Sequence, residues 1–219
     1  MLTLTNATPR ILFVLPFFVL LVTRLGIEAS VLLLPMRWAW LPSFGVYYAT
    51  IVASIWYANR WLGVPPPVVG RLRPLPSGWL LAWGVVLPAL LPLGVFVFNI
   101  QAVPLPVLLG IGLFATINPL FEDAFWRGLL AHLPLPRWAV VLVSAALFSL
   151  SHYILWGAYW LSNPPVLIAT CATTFIMGVC WMRFYQRDGR LIYPILSHVL
   201  VDVFNLSIAI FMGLRLVTV

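Results

Sequence analysis

The chain has 219 residues, 63% of them hydrophobic and only 8% charged, with 12 basic and 5 acidic side chains giving a net charge of +7. Soluble domains carry about a quarter charged residues, so this chain cannot clothe a water-soluble globule of its length, and a soluble enzyme or binding module is excluded. All the basic residues are arginines scattered between apolar runs, whereas nucleic-acid binding needs them gathered on one polar face.

A bilayer-spanning helix takes about 20 mostly apolar residues, and the apolar runs predict helices over 9–34, 40–60, 78–100, 105–132, 137–158, 165–185 and 190–214. The first follows a single arginine, Arg10, and Leu21-Val22-Thr23 runs straight into Arg24 with no small-residue cleavage site. It is therefore read as a span and not as a signal peptide. Arg24, Glu28 and Arg37 also allow a shorter first span followed by an interfacial helix. Between the helices stand Pro65-Pro66-Pro67 with a basic stretch to Pro76, then Pro104, Pro134 and Pro136, Asn163-Pro164-Pro165, and Asp188-Gly189.

No internal repeat and no soluble domain interrupts this pattern. The expected architecture is all-α: one integral-membrane domain over residues 1–219, a polytopic bundle of about seven transmembrane helices. Cys171 and Cys180 fall in one predicted helix, too far apart along its axis for a disulfide, and read as packing residues. Trp38, Trp40, Trp56, Trp61, Trp138 and Trp160 lie near span ends and read as an interfacial belt. Arg10, Arg60, Arg71, Arg73, Arg127, Arg137, Arg183, Arg187 and Arg190 would share one side, and Arg24, Arg37 and Arg215 the other. That asymmetry, which survives removing Arg127, predicts a cytoplasmic N-terminus.

Against this background, the ionisable residues inside apolar sequence stand out, because each costs about 2.5–3.5 kcal/mol on insertion scales. Glu122, Asp123, Asp202, His152 and His198 are such residues, whereas His132 sits near a helix end and reads as interfacial. At helical rise, Glu122 lies roughly 16 Å from the inner face, His152 roughly 22 Å, and His198 and Asp202 roughly 12 and 18 Å. Four polar groups on three helices thus fall at similar depth and can form one site. Asp123 and Arg127 are spaced i,i+4 with the acid first, the favourable order for an ion pair. Glu122 projects about 100° away from Asp123 on the helix, leaving it free of that pair and suited to act as a general base. Phe148 and His152, and likewise His198 and Asp202, are also i,i+4. Taken singly, each has a plain structural reading, Asp123–Arg127 as a helix-locking ion pair, a lone histidine as an interhelical hydrogen-bond partner, and Phe148 as packing.

FEDAFWRG (Phe121–Gly128), FSLSH (Phe148–His152) and HVLVD (His198–Asp202) resemble the three motifs of the CAAX-processing and bacteriocin-processing intramembrane proteases, which include the type II CAAX prenyl endopeptidases. These motifs are written EExxxR, FxxxH and Hxxx(N/D). The resemblance covers roughly residues 110–210, within a motif-bearing core of about 105–215; the first 100 residues contribute only compatible hydropathy. It implies a glutamate-dependent endopeptidase acting on a membrane protein or membrane-associated peptide, in a bacterial inner membrane. Glu122 would be the base, His152 would orient water, and His198 and Asp202 would stabilise the oxyanion or, for an ionised Asp202, orient His198. Asp123 stands where the family usually has glutamate. Asp123, Arg127 and Phe148 take supporting roles.

No cofactor is required on this reading. Zinc held by Glu122, His152, His198 and Asp202 is the alternative within the enzyme class, although HExxH is absent. From other classes, a transporter or proton relay would also place acids and histidines at the midplane, and a non-catalytic scaffold or immunity protein could be built on the same fold.

Overall fold

The computed structural model describes residues 8–70, 77–157, 161, 163–214 and 216. Arg71, Arg73, Trp160 and Arg215, which enter the sequence reading, lie outside the described residues. Within them the chain is helical, and no strand occurs.

Helix α1, Thr8–Leu33, is continuous through Arg24 and Glu28, which pair at 2.7 Å one turn apart. The helix runs unbroken there, with no division into a shorter span and a separate interfacial helix. Pro35 ends this helix region and caps α2, Met36–Leu62, as expected for a residue that can begin a helix but not continue one. Helix α2 stops at Gly63, whose positive φ of 67° closes the end with a hydrogen bond to Ala58.

Helix α3 runs over Gly78–Ala102 and α4 over Leu105–His132. Both contain π turns, at Ala82–Val86 and Ala124–Leu129 respectively. Helix α5, Arg137–His152, likewise passes into a π turn at Tyr153–Gly157. Helix α6 is Pro164–Asp188, α7 is Ile192–Phe204, and a short α8 covers Ser207–Phe211. Leu206, at φ 55°, makes the break between α7 and α8.

Among the described residues, five helices are long and apolar enough to cross a membrane, namely α1 from Arg10 onward, α3, α4, the α5 unit and α6. The protein is an integral membrane protein. The seven predicted helical units are all present, but two differ from an ordinary span. Helix α2 is long, yet it buries Ser43, Tyr47, Thr50 and Ser54 on one face, a polar stripe facing the bundle. Helix α7 has only 13 residues, because Asn205 and Leu206 break the predicted 190–214 run.

The helices pack as pairs, α1 on α2, α5 on α6 and α4 on α7. Gly178 of α6 is required by the second contact. A Cβ there would lie 3.0 Å from the Cα of Ala145 and 3.4 Å from the ring of Phe148. Two loop–helix contacts close the membrane end near α7. The carbonyls of Val68 and Val69 accept the amides of Leu191 and Ile192, which supplies partners for the otherwise open start of α7. Trp38, Trp56, Trp61 and Trp138 are exposed as a belt should be, but Trp40 turns inward and stacks on Phe211 at 5.7 Å. Cys171 and Cys180 are free thiols.

Because the α5–α6 contact leaves no room at Gly178, Gly178→Leu is expected to destabilise the folded protein by about 1–3 kcal/mol, the usual range for overpacking. Thermal unfolding in mild detergent measures this, and an unchanged midpoint would show that α5 and α6 are not locked there.

Candidate active site

Helices α2, α4, α5, α6 and α7 converge on one buried polar cluster. Its oldest element in chain order is the end of α4, where Asn118, Glu122 and Asp123 occupy successive inward positions before the π turn begins at Ala124. A π turn inserts an extra residue per turn and re-aims the side chains that follow. Here it carries Trp126 and Arg127 into the bundle, both with 0% exposure.

Arg127 extends towards Asp123, with Nη1 3.2 Å from Oδ1. The remaining surface of the guanidinium is covered by rings, Cζ lying 3.8 Å from the centroid of Phe148 and 4.6 Å from that of Trp181. Aromatic faces attract a desolvated cation by about 2 kcal/mol or more each, and a planar guanidinium can stack where an ammonium cannot. Arg127 therefore belongs to the interior and is not one of the arginines at the inner face.

The other oxygen of Asp123 reaches Nδ1 of His198 at 3.1 Å. Asp123 thus bridges Arg127 and His198, a wider role than the helix-locking pair its spacing suggested. On the far side of the ring, Nε2 of His198 is 3.4 Å from Oε2 of Glu122 and 3.8 Å from Oδ1 of Asp202. The face of the imidazole stacks on Trp181, with centroids 4.6 Å apart and planes 27° from parallel. Trp181 is held in turn by donating Nε1–H to Ser197, whose hydroxyl is donated to the carbonyl of Val85 in the π turn of α3.

His152 sits at the last α-helical position of α5, its Nδ1 2.9 Å from the carbonyl of Phe148. That contact orients the ring and leaves Nε2 for other partners. Phe148 meets all three motifs. Besides Arg127, it touches the ring of His152 at 4.4 Å and that of His198 at 5.9 Å.

A cavity of about 240 Å³ opens onto His152, His198 and Asp202, with Phe148 and Trp181 in the same wall. The rest of its lining is mostly apolar, from Pro92 and Val95 of α3 to Thr170 and Met177 of α6. Glu122 is 1% exposed and does not line this cavity; it stands beside His198, within electrostatic range of His152. Among the described residues, no group of three or more His, Cys, Asp or Glu is arranged to hold a metal ion. Of the four expected residues, His198 lies 3.4 Å from Glu122 and 3.8 Å from Asp202, and His152 shares the cavity wall with His198 and Asp202.

Several residues that complete the site were not singled out from the sequence. Asn118 donates Nδ2–H to Asp202 at 2.9 Å and reaches Glu122 at 3.4 Å. Tyr48 donates its hydroxyl to Asn118 at 2.9 Å, and Tyr47 donates to Glu122 at 2.9 Å. Trp126 donates to the Tyr47 oxygen at 2.8 Å. Asn118, one turn before Glu122 in an apolar helix, and the polar stripe of α2 were readable signals. Trp126 and Trp181 were not, because a tryptophan facing the site and one facing lipid look alike in sequence.

The fold and this cluster define a class: a polytopic membrane protein with acids, histidines and an arginine gathered inside the bundle around a cavity. Residues 104–204 match a protein-family model described as type II CAAX prenyl endopeptidase, Rce1-like. The match contains all three motifs, bears out the resemblance to the CAAX-processing family for that segment, and begins after α1, α2 and α3. No curated protein and no solved structure matches the chain.

Removing the buried cation leaves Asp123 uncompensated, and breaking such a pair costs about 3–5 kcal/mol. Arg127→Met is therefore expected to be severely destabilised. Adding Asp123→Asn should recover part of the loss, with a coupling of about 0.5–3 kcal/mol in a double-mutant cycle. Unfolding in detergent reads both, and strictly additive losses would mean that the two side chains do not act as a pair.

Proposed function

We propose that the protein is an intramembrane peptidase that hydrolyses a peptide bond of a membrane-embedded or membrane-associated substrate with water activated by Glu122. At the coarser level, the family match supports a CAAX-type endopeptidase. The observation that carries the finer reading is the approach of Glu122 to Nε2 of His198 at 3.4 Å, beside a cavity that exposes His198, His152 and Asp202.

In this proposal the substrate segment enters the cavity, whose mostly apolar lining suits a lipid-embedded peptide. Glu122 takes a proton from a water that His152 orients, and the water oxygen bonds to the peptide carbonyl carbon. Nε2 of His198 donates a hydrogen bond to the resulting oxyanion, the part of such reactions where fixed donors contribute most. With Nδ1–H given to Asp123, a ring that also donates at Nε2 carries both protons, and the three carboxylates of Asp123, Glu122 and Asp202 around it suit a cation. When the intermediate collapses, the carbon–nitrogen bond breaks and Glu122 returns its proton to the leaving amine. The products are a carboxylic acid and an amine.

Asp123 and Arg127 hold the imidazole from behind, and Asn118 holds Asp202 near Nε2. No step passes through a metal. The cytoplasmic N-terminus also remains a proposal, supported among the described residues by Arg10, Arg60, Arg137, Arg183, Arg187 and Arg190 against Arg24 and Arg37.

Sequencing of new peptide termini in membranes from cells expressing the chain or its Glu122→Gln variant tests the reading. Termini dependent on the wild-type chain should fall about 100-fold or more with Glu122→Gln, as expected for a lost general base. Persistence of those termini would remove Glu122 from the chemistry, and their absence with the wild-type chain would favour a scaffold or transporter. In isolated membranes, cleavage is expected to survive EDTA; loss that added zinc restores would move the mechanism to a metal held by Glu122, His152, His198 and Asp202.

A further inference from the structure

We propose that Tyr47 is a positioning residue for Glu122, so that the active site extends into α2, outside the segment that matches the family. The inference rests on Glu122 being the base. Its physical content is a fixed direction of hydrogen bonding. The indole Nε1–H of Trp126 can only donate, and it points at the Tyr47 oxygen at 2.8 Å. That occupies a lone pair on the phenol, so the single phenolic hydrogen is left to Glu122 Oε1 at 2.9 Å. Both Tyr47 and Trp126 have 0% exposure, so no solvent competes for either group.

The second carboxylate oxygen of Glu122 faces His198 and Asn118. Asn118 is itself fixed through its carbonyl oxygen by the hydroxyl of Tyr48. Successive tyrosines of α2 therefore hold two residues of α4 that are one turn apart, Tyr47 holding Glu122 and Tyr48 holding Asn118. Ser151 of α5, whose hydroxyl is donated to Phe148, lies beside the same Tyr47 phenol. A glutamate has three side-chain torsions, and the buried Tyr47 hydroxyl fixes the carboxylate from the Oε1 side. A base must stand within hydrogen-bond reach of the water it deprotonates. Tyr47 supplies that placement by holding Oε1 and leaving Oε2 towards His198.

The test is Tyr47→Phe in the full chain reconstituted in nanodiscs, a change that keeps the ring and removes only the hydroxyl. On a peptide carrying a Glu122-dependent cleavage site, kcat is expected to fall about 10- to 100-fold, the effect of misplacing a reacting group by about 1 Å. KM should stay within a factor of about two, because the cavity that binds substrate is untouched. A second readout needs no substrate. Site-resolved labelling of Glu122 by dicyclohexylcarbodiimide should become several-fold faster when the carboxyl loses its tether, with Glu122→Gln as the blank.

Unchanged kcat together with unchanged labelling overturns the proposal, as does a KM that rises in step with the fall in kcat. If the wild-type chain cleaves nothing, the peptidase reading fails and labelling alone decides whether Tyr47 tethers Glu122. Should Tyr47→Phe not fold, Trp126→Phe removes the donor that sets the phenol's direction. It is expected to speed Glu122 labelling in the same sense, and an unchanged rate overturns the proposal.

Discussion

The structure depends on a cation held away from solvent. Arg127 is wholly buried, and its charge is met by one carboxylate and by the faces of Phe148 and Trp181. A guanidinium in such a place is tolerable only if each of these partners is present, since the cost of an unpaired charge in the interior is several kcal/mol. The three partners come from α4, α5 and α6, so satisfying one side chain fixes how three helices stand. Everything at the site is measured from this point. Asp123 reaches from Arg127 to His198, Trp181 lies under both, and Phe148 separates them from His152.

Irregular turns occur where the polar residues concentrate. The π turn in α4 begins immediately after Asp123 and contains Trp126 and Arg127; the one in α5 follows directly on His152; and the one in α3 contributes the carbonyl that anchors Ser197 and, through it, Trp181. A regular helix presents a side chain to the same face only every three or four residues. Glu122 with Trp126 and Asp123 with Arg127 are i,i+4 pairs that turn inward together, and the π turn beginning at Ala124 continues the buried run through Leu129. The close approach of Gly178 to Ala145 serves the same end by bringing Phe148 and Trp181 near enough to enclose the guanidinium.

Chemistry and support are divided along the chain. The groups that face the cavity lie in the later helices, where the family match also lies. Helix α2, from the earlier part, contributes no residue to that wall. Its tyrosines instead hold α4 from behind, through Tyr47 on Glu122 and Tyr48 on Asn118. A helix with that duty cannot be uniformly apolar.

Much of this was legible in the chain by itself. Composition required a membrane protein, and seven apolar runs bounded by proline and glycine gave seven helical units, because within lipid each backbone group must be satisfied inside its own helix. Glu122, Asp123, Arg127, His152, His198 and Asp202 were legible because a charge in apolar sequence is costly enough to need a reason. Tertiary structure alone decided the pairings. Periodicity places Asp123 near Arg127 but cannot say that its other oxygen meets His198, since that contact joins α4 to α7 across 75 positions. Nor could it distinguish Trp181 under the site, or Trp40 turned inward, from tryptophans facing lipid. Sequence carries the energetic cost of each residue locally; which neighbour offsets that cost is set by how the helices pack.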